Sequence, residues 1–176
     1  MPSTKPPLVS LHGKRFGLAP GYTMVDGGPA GPPLNVSASA VAGNSATTAE
    51  VTLKSYSLPA YTLKNADHGI YVTAFGRFAG NAQNKRATLN IGGVSITTAS
   101  TTNSGGTWML TGQYIKTGSS TQRALAGGQI ASTALALASS TDTSTDTSDI
   151  TIALKATAGS GSQSDILCDA LIVGFN

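Results

Sequence analysis

Reaction chemistry needs ionisable or nucleophilic side chains close together, and this 176-residue chain has few: two histidines, one cysteine and eight acidic residues. His12 and His68 are far apart and lack metal-ligand spacing to each other or to a carboxylate cluster. Asp67 and His68 lie near serines, but a catalytic triad is defined by geometry and serine occurs throughout the chain, so the adjacency assigns no nucleophile. Asp142, Asp146 and Asp149 bring oxygen ligands together as calcium loops do, without the glycine and terminal glutamate of an EF-hand loop. Gly92-Gly93 and Gly105-Gly106 open no helix, so no phosphate cradle follows. Cys168 sits in an alternating apolar run, where it reads as a small core hydrophobe, and a single cysteine excludes an internal disulfide. The sequence therefore predicts no catalytic residue, no metal centre, no cofactor and no enzyme.

The candidates that remain are for binding. Arg77 with Lys85 and Arg86 forms a small basic patch around one hairpin, and Lys5, Lys14 and Arg15 lie near the N-terminus; these six are candidate docking charges. A nucleic-acid reader would interleave aromatic residues with more base, and 6% aromatic residues is low for that, so no nucleic-acid partner is expected. Trp108 is in phase with Leu110 and Tyr114, which makes it a core residue first; the alternative is a sugar platform built from Trp108 and Tyr114.

Composition supports a packed, non-catalytic part. Charged residues make up 11% of the chain, against roughly 25% in an average domain, and Ser, Thr, Gly and Ala fill the deficit. Such a neutral, hydroxyl-rich surface suits packing among copies of itself or on a scaffold, where charges are costly to desolvate. The net charge of +3 is unevenly spread: residues 1–48 carry +2, residues 49–131 carry +5 and residues 132–176 carry −4. No run approaches a membrane span, and residues 1–7 show no signal-peptide core, so the expectation is assembly in a cytoplasm, without a membrane partner.

The elements that must position these residues are strands. In residues 70–115 apolar and polar positions alternate with period two and each run closes on Gly, Asn or Ser, the pattern of an antiparallel meander with one buried face. Upstream, seven prolines within residues 1–48 break any helix, leaving an extended Pro/Gly-rich arm with two short strand candidates at residues 8–11 and 22–25. Such an arm either orders against a neighbouring subunit or stays disordered. Downstream, residues 51–53 alternate, residues 55–63 give a second strand that ends where Pro59 removes a ladder donor, and residues 121–131 give a weaker strand interrupted at Gly127-Gly128. Residues 133–138 are compatible with helix or strand, with strand neighbours favouring strand; residues 139–148 form a low-complexity Ser/Thr/Asp loop. Residues 150–155 alternate strictly, and residues 166–175 are nearly all apolar. About eight strands at turn spacing and no convincing helix predict an all-β fold: an antiparallel β-sandwich, jelly-roll-like, over residues 49–176, with the arm over 1–48 and closed barrels still possible.

Residues 56–63 (Tyr-Ser-Leu-Pro-Ala-Tyr-Thr-Leu), 69–81 (Gly-Ile-Tyr-Val-Thr-Ala-Phe-Gly-Arg-Phe-Ala-Gly-Asn), 84–86 (Asn-Lys-Arg), 105–108 (Gly-Gly-Thr-Trp) and 116–123 (Lys-Thr-Gly-Ser-Ser-Thr-Gln-Arg) resemble a module recurring in structural proteins of tailed bacteriophages. The chain also resembles the β-sandwich cement, or decoration, proteins that sit as trimers on icosahedral phage heads. The likeness covers residues 50–176; the Pro-rich arm is not part of that module. It implies a homotrimer on the capsid surface of a virion, bound to the major capsid protein and stabilising the head. The alternative under the same likeness is a tail-fibre or receptor-binding module for host glycan.

Overall fold

The computed structural model describes residues 35–37, 42–97, 101–102, 105–143, 147–160 and 162–176. The strand candidates at residues 8–11 and 22–25, His12, Asp146, and the docking candidates Lys5, Lys14 and Arg15 lie outside them. Among the described residues there are eleven strands and no helix: β1 (Asn35–Ser37), β2 (Ala42–Gly43), β3 (Val51–Leu58), β4 (Gly69–Phe78), β5 (Lys85–Ile91), β6 (Val94–Thr97), β7 (Gly106–Gly118), β8 (Thr121–Ile130), β9 (Thr133–Asp142), β10 (Ile150–Ala158) and β11 (Ile166–Phe175).

Period-two alternation gives each strand one apolar face, and two such faces must meet to leave water. They do so in a β-sandwich, as the sequence predicts. The larger sheet runs β1-β11-β4-β7-β8-β9, with β2 also on β11, and the smaller runs β3-β10-β5-β6. Every pairing is antiparallel. The core between them holds Ile70, Val72, Leu110, Trp108 and Leu171 from the larger sheet against Leu89, Ile91, Ile152 and Leu154 from the smaller. Residues 35–37 and 42–43 belong to this sheet: both short strands lie along β11.

The meander expected over residues 70–115 is not what forms. β4 pairs with β7 on one side and β11 on the other, while β5 and β6 belong to the opposite sheet. The β4–β5 connection crosses between the sheets and is tied by side chains rather than by a hairpin ladder. Asn81 Nδ2 donates to Asp165 Oδ1 at 2.6 Å, and Lys85 Nζ donates to the carbonyls of Asn81 at 2.6 Å and Gln83 at 3.0 Å.

Bulges adjust which side chains face inward. One extra residue in β11 between Cys168 and Ala170 leaves Asp169 without a partner opposite it in β4. A second lies in β9, where the register against β8 shifts between Ala126 and Gly128. Leu135 and Leu137, two apart, would otherwise share a face. Instead Leu135 packs on the core and Leu137 lies over Gly127 on the other side, where a Cβ on Gly127 would come within 2.8 Å of it. The predicted low-complexity loop at 139–148 begins late, since β9 continues through Ser139, Ser140 and Thr141 to Asp142.

Candidate interaction face

The candidate functional site is the outer face of the larger sheet. Register places its outward residues in rows. Ala170, Phe75, Met109, Gln129 and Ala134 stand side by side across five strands. Ile172, Thr73, Thr111 and Gly127 form the next row, and Gly174, Tyr71, Gln113, Leu125 and Ser139 the one after. Leu137 completes the patch beside Gly127. Of the five exposed large hydrophobic residues in the described chain, four are here: Phe75 (38% exposed), Met109 (36%), Leu125 (45%) and Leu137 (74%).

The local sequence explains why large residues point outward. Phe75 lies between Ala74 and Gly76, and Leu125 between Ala124 and Ala126, so the inward positions are small where the outward ones are large. At Gly76 there is no room for more: a Cβ would collide with the Leu167 carbonyl and approach the Trp108 ring to 2.6 Å. Two shallow depressions break the face. One of about 220 Å³ is lined by Tyr71, Thr73, Thr111, Gln113, Leu125 and Leu137, the other of about 240 Å³ by Phe75, Arg77, Thr107, Met109, Gln129 and Asp169.

The charges on this face are Arg77 and Asp169, which pair, and Arg123, exposed two residues along β8 from Leu125. Arg77 meets Asp169, the residue extruded by the β11 bulge, through Nη2–Oδ1 at 2.9 Å and Nε–Oδ2 at 3.2 Å, a two-bond fork on a partly solvated surface. Across the molecule, the outer face of the smaller sheet carries Ser55, Ser57, Thr151, Thr157, Asn90, Arg86 and Lys155, a polar surface rich in hydroxyls, with Thr88 buried among them. The two outer faces therefore differ sharply in chemistry.

Several expected site residues fall elsewhere. Lys85 is fully buried, its ammonium consumed by the two carbonyls of its own turn, and has no surface with which to dock. Arg86 points to the other sheet's outer side, half-buried beside Thr157, so Arg77, Lys85 and Arg86 do not form one patch. Alternation sends neighbours 85 and 86 to opposite sides of a strand, and the crossing between sheets separates both from Arg77. Trp108 and Tyr114 are 2% and 0% exposed, so neither presents a ring to a sugar. Trp108 packs tilted on Phe78 with ring centroids 6.3 Å apart.

Tyr114 and Asp142 instead form a buried tie that the sequence did not reveal. Tyr114 Oη donates to Asp142 Oδ2 at 2.7 Å, and the Gly93 amide donates to the same oxygen at 3.0 Å. This joins β7, the end of β9 and the β5–β6 turn across the two sheets. Burial, then the hydrogen bond and charge of Asp142, push the Tyr114 phenol well above its ordinary value. Cys168 is fully buried and burial pushes its thiol up to about 12, so it is protonated and inert near neutrality. Among the described residues no group of three or more His, Cys, Asp or Glu is placed to hold a metal ion.

Comparison with family models, with curated proteins and with solved structures finds no match to this chain.

Proposed function

We propose that this chain is a structural protein of a bacteriophage virion, a decoration protein that binds the assembled lattice of major capsid protein on the head and stabilises it. The observation that carries the docking part of this reading is the outer face of the larger sheet, where Phe75, Met109, Leu125 and Leu137 are exposed together while the opposite face is hydroxyl-rich. An apolar patch of this kind marks a surface that another protein covers. The head as its location rests on the likeness of residues 50–176 to the β-sandwich cement proteins of phage heads. On this reading the N-terminal arm with Lys5, Lys14 and Arg15 is a second attachment, no cofactor or nucleic acid takes part, and no reaction is assigned.

The energetics suit cementing. Each of the four side chains contributes on the order of 1–2 kcal/mol when fully buried, so one face binds modestly. Copies linked to one another bind far better through effective concentration. Because the protein would bind the assembled lattice and not free capsid subunits, it shifts the equilibrium toward the intact shell.

The test uses heads stripped of this protein. Added wild-type protein is expected to co-sediment with them and raise the temperature at which they release DNA. The double variant Phe75→Ser/Leu125→Ser, with unchanged melting of its own, is expected to bind at least tenfold more weakly. Absence of wild-type binding, or full retention by the double variant, overturns the reading.

A further inference from the structure

The sandwich has four sheet ends: β1 with β2, and β9, on the larger sheet; β3 and β6 on the smaller. An open edge exposes a row of backbone N–H and C=O groups that will pair with any compatible strand, and proteins blunt such edges with short strands, bulges, charges or proline. Three ends are blunted. β1 and β2 are three and two residues long, and β6 is four. β3 carries a bulge near Leu53, the Glu50–Lys155 ion pair at its start and Pro59 directly after its end.

β9 is ten residues long and reads Thr-Ala-Leu-Ala-Leu-Ala-Ser-Ser-Thr-Asp, with its one charge at the last position. Among the described residues nothing pairs with its second edge. It is also bare on its inner side: Ala138 and Ser140, opposite the buried Ala126 and Ala124, are exposed, so the smaller sheet does not cover it there. Its bulge lies before Ala138, and residues 138–142 keep regular register with β8.

We propose that β9 is a self-pairing edge, along which two copies of this chain join antiparallel about a two-fold axis near Ser139, merging their larger sheets into one. The strand is its own complement. Centred on Ser139, the pairing sets Ala138 of one copy beside Ser140 of the other, and the bulged Leu137 and Ala136 fall at each end of the ladder, alongside Thr141 and Asp142 of the partner copy. A parallel pairing would instead stack Asp142 on Asp142. Isologous pairing closes at two copies, because the surface used is the same on both. The area covered is at the small end for protein interfaces, so the dimer dissociates on dilution. The inference does not rest on the virion reading: the two-fold pair stands in place of the trimer that the phage likeness implies, and failure to bind heads would leave it untouched.

Sedimentation velocity on the full chain tests it. At high concentration the mass is expected to be twice the 17.6 kDa of one chain, falling to one chain on dilution. Ser139→Lys puts two like charges at the axis and is expected to weaken association at least tenfold without changing the melting temperature. Hydrogen exchange of β9 amides should slow on concentrating the wild type and not the variant. A monomer at every concentration, a trimer, or a dimer whose association and β9 exchange ignore Ser139→Lys overturns the proposal.

Discussion

Asp142 fastens one end of the sandwich, since a single carboxylate oxygen accepts from both Tyr114 and Gly93. Asp142→Ala strands two donors and should cost about 2–4 kcal/mol, read as a lowered urea midpoint. Tyr114 also sets a pH limit. Its folded-state value is raised above the ordinary 10.0. The unfolded chain therefore loses that proton first, and stability is full below pH 10 and falls as pH rises beyond it. Urea midpoints between about pH 9 and 11 should decline in the wild type and decline less in Tyr114→Phe. Gln122 presents the opposite case: it is fully buried and, among the described residues, neither side-chain polar atom has a partner. Gln122→Met should raise stability by roughly 1 kcal/mol. The inward phase of Trp108, Leu110 and Tyr114 was legible in the sequence, because apolar residues at even spacing, two and then four apart, share one face of a strand. The role of Asp142 was not, because it ends a Ser/Thr run without period and its partner is 28 residues away.

Strands were legible as elements and mostly illegible as neighbours. Alternation states which side chains share a face, but it is silent on which strand lies alongside. That is why β4 and β5, consecutive and similarly patterned, read as a meander while they occupy different sheets. β9 was half legible for a related reason. Where an edge strand is uncovered on its inner side, as at Ala138 and Ser140, it needs no apolar residue there, so its Ser/Thr half looks like loop. Close packing at the β4–β11 pair can be probed directly. Gly76→Ala drives a methyl into the Leu167 backbone and the Trp108 ring, and should cost on the order of 3 kcal/mol in equilibrium unfolding. On β11, Cys168 should resist thiol reagents at pH 7–8 in the native protein, as its thiol is pushed up to about 12, and react once urea unfolds the sandwich. Ready labelling of native protein at that pH would contradict its burial.

At the scale of the molecule, the two outer faces make opposite predictions. Met109→Ser on the larger sheet should leave folding stability within about 0.5 kcal/mol of wild type while reducing attachment to heads, and Thr151→Ala on the smaller sheet should change neither. The contrast between the faces was partly legible, in large residues flanked by small ones around Phe75 and Leu125. The pairing that turned those residues to a common side was not. The position of β11 has a further consequence, for the order of folding. It lies inside the larger sheet and joins stretches far apart in sequence, pairing Phe175 with Ile70 and Ile166 with Phe78. Until it docks, β4 lacks one neighbour and, among the described residues, β1 and β2 have none, so the folding chain holds its apolar strands open. Refolding should accordingly be slow for a chain this size, limited by closing these distant pairs. A variant truncated before Ile166 should remain unfolded and aggregate, which makes the docking of β11 the step that commits the sandwich.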